Sequence, residues 1–283
     1  MNPRDLIALV KPRISTLVIF TTACGLWLAP QTPSPFLAFM TLFGTVLMVG
    51  GANALNMYLE RDSDALMLRT KNRPLAAKRL APKIALRFGI ALALLSTILL
   101  YKEVNPLTAL LGVIAFISYV LFYTPLKQKS HAALLVGAVP GAIPPLMGWT
   151  AATGKIALPG LILFFILLLW QVPHFLAIAL VRKEEYEKAG IKILPLEKGE
   201  RVTKHWIVRY LLGLFAVTLY PSFYGITKSH YLWFALVLNG AFLFWGCYGL
   251  RSGASTRWAR SFFFASIVYL PLLLFALLWL SKT

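Results

Sequence analysis

Charged residues are scarce in this sequence, and acidic residues are the scarcest of them. Only 13% of the 283 residues are charged, with 10 Asp and Glu against 28 Lys and Arg. Because a soluble globular chain carries roughly 25% charged residues, this composition excludes an ordinary soluble domain. The remainder is 59% hydrophobic, which is typical of a protein that lies in the lipid bilayer.

Cysteine is nearly absent as well. The only two, Cys24 and Cys247, fall in apolar stretches, and they do not have the CxxC spacing of a redox or metal site. We therefore expect both to be small buried hydrophobic residues. The first apolar run begins without a separate polar region and cleavage site before it, so no removable signal or transit peptide is predicted.

Long hydrophobic runs fill most of the chain. A membrane-spanning helix needs roughly 20 apolar residues. Nine stretches approach this length, at about residues 13–30, 35–58, 82–101, 106–123, 132–150, 158–181, 205–226, 231–249 and 260–280. The sequence therefore predicts an all-α integral membrane protein with nine transmembrane helices, forming a single domain over residues 1–283.

The positive charges lie almost entirely on one side of these nine spans. Lys and Arg number 24 in the segments on the side of the N-terminus, leaving Lys102, Lys155, Lys228 and Lys282 for the other side. The positive-inside rule then places the N-terminus in the cytoplasm and the C-terminus outside. A bacterial or archaeal plasma membrane is the simplest location. The basic excess reflects topology, so nucleic-acid binding is not expected.

Two long connections on the cytoplasmic side hold most of the polar residues. They cover residues 59–81, after the second span, and residues 182–204, after the sixth. Each begins with acidic residues at a helix end. This spacing indicates a weak internal duplication of a four-helix unit, in which the two helix ends face a shared central cavity.

Asn56, Glu60 and Asp64 form an acidic row at the end of the second span. Residues four apart drift by only about 40° around a helix, so the three side chains lie along one face. Oxygen-bearing side chains in a row suit Mg²⁺, which is usually held by one or two carboxylates together with substrate phosphates. Solvated surface charge is the alternative interpretation, but the row continues an apolar run, where polar groups are costly.

Cationic residues follow the acidic row in the same loop. Arg guanidinium groups match phosphate oxygens in pairs, and Lys supplies a point charge. The stretch LRTKNRPLAAKR contains Arg69, Lys71, Arg73, Lys78 and Arg79. Together the row and the loop predict a site for Mg²⁺ and a diphosphate. Asp62 lies on another face and is interpreted as solvated.

The stretch NALNMYLERDSD followed by RTKNRPL resembles the N-x-x-x-D-x-x-x-D signature and basic loop of the UbiA superfamily of intramembrane prenyltransferases. Further stretches resemble the branch of that superfamily that farnesylates haem. They are LVKPRI, YTPLKQKS, GAVPGAIPPLMGW and WQVPHFLAIAL continuing into EEYEKAGIKILP. The resemblance covers residues from about 8 to 200, and the last three spans add only hydrophobicity.

This resemblance implies a nine-helix bundle around a central cavity, with Mg²⁺ and an isoprenyl diphosphate bound near the cytoplasmic side. Asn56, Glu60 and Asp64 would hold the diphosphate through Mg²⁺. The expected direct contacts of the diphosphate are Arg69, Lys71, Arg73, Arg79, Tyr123 and Lys127.

The chain departs from the superfamily pattern at two places. Glu60 stands where the superfamily usually has Asp, which shifts the metal without preventing its binding. The second acidic motif, D-x-x-x-D, is missing: Pro173 and His174 stand near its position, and Glu184 and Glu185 follow. We therefore assign Glu184 or Glu185 to a second metal site only as a hypothesis.

The resemblance also implies the reaction. Farnesyl diphosphate would ionise, the 2-vinyl group of haem b would attack the allylic cation, and water would add to give haem O. A haem A synthase or a terminal oxidase could receive the product. His174, inside the sixth span, is either a packed core residue, an axial ligand of the haem iron or a group that moves protons.

Three other functions remain open at this stage. A prenyltransferase acting on an aromatic quinone precursor would use the same diphosphate site, and only QVPHF and AGIKILP favour haem. A cation-coupled transporter could use the acidic row, although it would gain nothing from the neighbouring Lys and Arg residues. A structural assembly factor for a respiratory oxidase would need no chemistry at all.

Overall fold

The computed structural model describes residues 3–281, excluding the side chains of residues 13 and 14, and these residues are almost entirely helical. Lys282, counted above with the charges of the outer side, lies outside the described residues. The helices of the first part of the chain are α1 (Pro3–Leu9), α2 (Pro12–Trp27), α3 (Pro35–Leu59), α4 (Arg61–Ala65), α5 (Pro82–Glu103), α6 (Pro106–Ile117) and α7 (Thr124–Leu126). They are followed by α8 (Ala133–Thr153), α9 (Leu158–Val181), α10 (Lys183–Lys188), α11 (Leu194–Glu197), α12 (Glu200–Phe223), α13 (Ser229–Tyr248) and α14 (Thr256–Trp279).

Eight helical segments of the described chain are long and apolar enough to cross a membrane. They are α3, α5, α8, α9, α12, α13, α14 and the segment Pro106–Leu126, in which a π-helical turn at Ser118–Tyr123 joins α6 to α7. The first predicted span corresponds to α2, whose 16 residues rise only about 24 Å. The chain is thus a multi-pass membrane protein with eight full-length spans and one shorter apolar helix.

Proline residues mark where many of these helices begin. Five membrane helices start with Pro at the first or second position, where the missing N–H has no intrahelical partner to lose. Side chains cap two of them. The hydroxyl of Ser34 accepts a hydrogen bond from the Leu37 N–H at 3.2 Å, and the side-chain Oδ1 of Asn105 accepts one from the Thr108 N–H at 2.8 Å.

Helix α8 packs against α2, α6 and α9, and its glycines allow close approaches. A Cβ atom at Gly148 would lie 2.0 Å from the Thr22 carbonyl oxygen of α2. A Cβ atom at Gly141 would lie 2.0 Å from Oε1 of Gln171 in α9. Small residues let membrane helices approach through their backbones, as the Gly-rich sequence of this span predicts.

The second and sixth membrane helices end in the same way. Helix α3 stops at Leu59 and a short helix follows Glu60, while α9 stops at Val181 and a short helix follows Arg182. In each half the next long helix, α5 or α12, packs back against the one before the break. This parallel supports the predicted duplication of a four-helix unit.

The two long connections meet at one end of the bundle. Met67 of the first connection packs with Ala189 and Ile191 of the second. The Lys192 N–H donates a 2.9 Å hydrogen bond to the Lys127 carbonyl oxygen, which lies at the end of the fourth span. The polar residues of both halves are therefore gathered on a single side of the membrane.

The expected burial of the two cysteines is correct for one of them. Cys24 is 2% exposed in the main core, whereas Cys247 is exposed on α13. An apolar sequence around a cysteine does not predict burial here, because lipid-facing helix positions are as apolar as the core.

The Gly148 contact gives a prediction about stability. The substitution Gly148→Ala should lower the free energy of unfolding by about 1 to 3 kcal/mol, because the added methyl group would push α2 and α8 apart. Gly240→Ala in α13 is the matched control, since a Cβ atom there meets nothing within 4 Å. Thermal unfolding in detergent micelles measures both. Equal melting temperatures for the two variants would contradict the close packing of α2 and α8.

Candidate active site

The acidic row lies at the end of α3, where the helix breaks at Glu60. Two helix-type backbone hydrogen bonds continue across the break. The Glu60 N–H donates to the Asn56 carbonyl oxygen (2.9 Å), and the Asp64 N–H donates to the Glu60 carbonyl oxygen (2.8 Å). The three side chains therefore share one face. Asn56 and Asp64 are each only 1% exposed, whereas the Asp62 side chain is 89% exposed. The predicted difference between Asp62 and the row agrees with this burial.

Each member of the row has a cationic partner from a different part of the chain. Lys11 Nζ donates to Asn56 Oδ1 at 2.8 Å, and Lys127 Nζ donates to Glu60 Oε1 at 2.8 Å. Arg73 Nη1 lies 2.8 Å and 2.7 Å from the two carboxylate oxygens of Asp64. Three basic side chains thus converge on two carboxylates and one amide.

The loop after α4 folds back to bring Arg73 to Asp64. The Thr70 hydroxyl donates to the Asp64 carbonyl oxygen at 2.8 Å, and the Arg73 N–H donates to the Thr70 carbonyl oxygen at 2.9 Å. Leu75 and Leu80, further along the loop, are buried with Leu9 and Met57 in a small apolar cluster. The loop is therefore fixed both by hydrogen bonds and by packing.

Lys127 is held beside Tyr123, at the end of the fourth span. Its ammonium nitrogen lies 4.4 Å from the centre of the Tyr123 ring, a cation–π geometry. The ring itself rests on Gly137 of α8, where a Cβ atom would come within 2.5 Å of two ring carbons. Next to Tyr123, the Thr124 hydroxyl accepts a 3.1 Å hydrogen bond from the Asn56 amide. The YTP stretch and the acidic row thus form one contact region.

Lys11 was not assigned to the site from the sequence. It lies between α1 and α2 with a left-handed backbone (φ 49°), directly before Pro12. Burial, together with the positive charge of Arg73, lowers the pKa of its ammonium group from 10.5 to about 7. The only sequence signal was the LVKPRI stretch, in which a lysine directly precedes the proline that begins a membrane helix.

Other predicted site residues lie elsewhere. Arg69 and Lys71 are exposed, and neither has a side-chain hydrogen bond or ion pair with another described residue. Arg79 is engaged by Asp5 of α1, with Nη2 3.1 Å from Oδ1. Glu185 pairs with Arg182 at 2.9 Å, and Glu184 is exposed on α10. The structure brings Arg73, Tyr123 and Lys127 to the row, and it gives Arg79 and Glu185 other partners.

The side chain of His174, on α9, packs against α14. Its Nδ1 lies 2.7 Å from the Ser266 hydroxyl, and its ring stacks on Trp170 with centroids 4.7 Å apart. Phe263 lies on α14 with its ring centroid 5.0 Å from that of His174. One ring nitrogen is thus occupied by a hydrogen bond, and the ring plane is fixed by aromatic neighbours.

The donor set of the row fits Mg²⁺. Its side chains offer one amide oxygen and two carboxylates, the hard oxygen ligands that this ion prefers. Over the described residues, no group of three or more His, Cys, Asp or Glu side chains could hold a metal by itself. Mg²⁺ is usually bound through one or two carboxylates, and phosphate oxygens and water complete its coordination.

Comparison with known proteins identifies the family. The sequence model of the UbiA prenyltransferase family matches residues 18–268, so the chain belongs to that family and is a prenyltransferase. Within the family it groups with the protoheme IX farnesyltransferases. It is 50% identical over 280 residues to the protein of that name from Sorangium cellulosum (strain So ce56), an alignment covering 93% of this chain and 99% of the relative.

Solved structures share the fold at low sequence identity. A structure of digeranylgeranylglyceryl phosphate synthase aligns with a TM-score of 0.84 at 16% identity, covering 97% of this chain and 96% of that one. A UbiA homologue from Archaeoglobus fulgidus, bound to GPP and Mg²⁺, aligns with a TM-score of 0.68 at 16% identity, covering 98% and 100%. The predicted UbiA-like helical bundle is confirmed.

The Asp64–Arg73 ion pair generates a prediction about metal binding. Arg73→Met leaves a buried carboxylate without its cation, so we expect a loss of about 3 kcal/mol in the free energy of unfolding. If Asp64 binds Mg²⁺, the ion should replace the missing charge and raise the melting temperature of this variant more than that of the wild type. Thermal unfolding with and without Mg²⁺ measures this.

Arg69→Met is the control for that experiment, because Arg69 is exposed in the same loop. It should unfold like the wild type under both conditions. An Arg73 variant as stable as the Arg69 variant would show that the ion pair does not hold the loop. A destabilised Arg73 variant that gained nothing from Mg²⁺ would count against Asp64 as a metal ligand.

Proposed function

We propose that the protein transfers the farnesyl group of farnesyl diphosphate to the 2-vinyl group of haem b, with Mg²⁺, giving haem O. The observation that carries the proposal is the largely buried acidic row at the end of α3, with a basic side chain on each member. Such an arrangement suits a metal–diphosphate complex, which presents both a cation and an anion. The name of the Sorangium relative supports haem as the acceptor, and the archaeal homologue bound to GPP and Mg²⁺ supports the diphosphate.

In this proposal the chain's own residues stabilise the leaving diphosphate. Glu60 and Asp64, with Asn56, would hold Mg²⁺, which supplies charge neutralisation on the phosphate oxygens as they become negative. Lys127 and Arg73 donate hydrogen bonds to the same oxygens, and Tyr123 positions the Lys127 ammonium group. Preorganised donors of this kind stabilise a developing anion without reorganisation during the reaction. The exposed Arg69 and Lys71 attract the diphosphate to this end of the protein.

The reaction balances without an oxidant or reductant. The C1–O bond of farnesyl diphosphate breaks, and its electron pair leaves with the diphosphate. The vinyl electron pair forms the new carbon–carbon bond, a water oxygen bonds to the resulting cationic carbon, and one proton is released. The apolar interior of the bundle keeps other water away from the farnesyl cation.

His174 is assigned to the acceptor side of the site. It lies seven residues before the end of α9, which places it roughly 10 Å deeper than that helix end. Because Nδ1 forms a hydrogen bond with the Ser266 hydroxyl, Nε2 is the ring nitrogen that remains for haem iron or for a proton. Glu184 and Glu185 are not assigned to a metal in this proposal, since Glu185 has Arg182 as its partner.

The membrane orientation is part of the proposal. The side that carries the acidic row is assigned to the cytoplasm of a plasma membrane, because the Lys and Arg residues are concentrated there. Haem O is hydrophobic and would leave sideways within the bilayer, where a haem A synthase or a terminal oxidase could take it up.

The direct test incubates the purified protein in detergent with haem b, farnesyl diphosphate and Mg²⁺, and follows the porphyrin by mass spectrometry. The expected product is heavier than haem b by one farnesyl group and one water, and EDTA should abolish its formation. Prenylation of an aromatic quinone precursor with haem left unchanged would overturn the acceptor assignment. A folded protein that bound Mg²⁺ but prenylated neither acceptor would support a transporter instead.

A matched pair of variants tests the acidic row. Asp64→Asn should lower kcat by about a hundredfold or more, because it removes a carboxylate from the proposed metal site. Asp62→Asn, two residues away on the exposed face, should retain wild-type activity. Thermal unfolding of both variants checks their folding. Equal activities would contradict the assignment of Asp64.

A further inference from the structure

We propose that Lys11 is a third cation of the diphosphate site and that helix α1 positions it through the Asp5–Arg79 ion pair. The inference rests on the proposed function, because it concerns the same diphosphate. It gives the N-terminal segment, which precedes all of the full-length spans, a direct part in substrate binding. It also gives Arg79 a positioning role in place of the expected contact with substrate.

The three basic side chains at the row differ in their partners. Arg73 pairs with Asp64 and Lys127 pairs with Glu60, so each of these cations has a carboxylate. Lys11 has only the neutral amide oxygen of Asn56, at 2.8 Å. One basic side chain at this partly buried site therefore lacks an acidic partner of its own. An anion bound beside the row would supply that partner, so the arrangement indicates an anionic ligand.

Lys11 lies at the Asn56 end of the row. Glu60 and Asp64 would hold the metal through the carboxylate oxygens that Lys127 and Arg73 contact in the structure. Lys127 and Arg73 would then be released to donate hydrogen bonds to the anion. Lys11 is directed at Asn56, the third member of the same row, so it is placed to bond the same anion from the other end of the row.

The backbone of Lys11 provides independent support. Only Lys11 and Lys78 among the described non-glycine residues have positive φ. This left-handed conformation favours glycine, because the Cβ of other residues is crowded there. The backbone therefore adopts at Lys11 a conformation that lysine disfavours, and this conformation directs the Lys11 side chain to the row. Strained conformations of this kind concentrate at functional sites.

Helix α1 fixes this turn from the other side. Asp5 is mostly buried and lies 3.1 Å from Arg79, and Leu9 is fully buried against the loop that contains Leu75. Closer to Lys11, the Asn53 amide donates to the Val10 carbonyl oxygen at 3.3 Å. Three contacts, made by Asp5, Leu9 and Val10, thus hold the segment before Lys11 on the same loop and helix that form the diphosphate site.

The test measures the affinity of the full-length protein for inorganic pyrophosphate with Mg²⁺, by titration calorimetry in detergent micelles. Lys11→Met and Lys11→Gly should each bind at least tenfold more weakly than the wild type, the usual effect of losing one charge-assisted hydrogen bond. Lys11→Gly separates binding from folding: glycine suits the left-handed backbone, so its melting temperature should not fall below that of Lys11→Met. Lys83→Met is the control, since Lys83 is exposed at the start of α5.

The outcomes distinguish this inference from the proposed function. A wild-type protein that failed to bind pyrophosphate with Mg²⁺ would overturn both. If the wild type bound it and both Lys11 variants bound equally well, the diphosphate site would stand and the role of Lys11 would be rejected. Weaker binding by both Lys11 variants, with Lys83→Met unchanged, would support the inference.

A charge exchange tests the positioning by α1. Asp5→Arg and Arg79→Asp should each weaken pyrophosphate binding several-fold, because each breaks the ion pair that holds α1. The double variant with both substitutions restores a pair of opposite charges and should recover most of the affinity. If Arg79 contacted the diphosphate directly, the double variant would remain as weak as Arg79→Asp, and the positioning role would be rejected.

Discussion

Burying the carboxylate of Asp64 at a helix end is costly without a cation, and Arg73 supplies that cation from nine residues further along the chain. This pairing determines how the loop must run. The chain turns back at Thr70, returns to the end of α3 and then places Leu75 and Leu80 in an apolar cluster. Helix α1 packs on that cluster through Leu9. This end of the bundle is therefore built around one pair of charges that a buried site would not tolerate separately.

The two halves of the bundle have the same helix arrangement but different polar residues at the helix breaks. Both break a long helix and continue with a short one, and the two loops meet through Met67 and Ala189. The first break lies within the acidic row, whereas the second is followed by an Arg182–Glu185 pair at the surface. In the proposed function a single set of acidic residues would be sufficient, because the diphosphate would supply further oxygen ligands. The second half would then hold the apolar acceptor.

The sequence was sufficient to predict the helices and the row, because hydrophobic runs and a four-residue spacing are local signals. The full-length spans and the helical face shared by Asn56 and Asp64 are of this kind. Pairings over long distances were not predictable. Lys11 reaches Asn56 across 45 residues, and Arg79 reaches Asp5 across 74. Loop charges near a site resemble each other in sequence, and only the path of the chain separates Arg73, which is paired with the row, from Arg69, which faces solvent.

The connections at the opposite end of the bundle are all short. They cover residues 28–34, 104–105, 154–157 and 224–228, and their only charged residues are Lys155 and Lys228. Carrying a charge through the hydrocarbon core costs several kcal/mol, so these turns are inexpensive to translocate during synthesis. Successive helices can enter the bilayer as hairpins with few charges at the crossing end: Lys155, Lys228, or Lys102 and Glu103 at the end of α5. In the proposed orientation, the long polar connections that form the candidate site never cross the membrane.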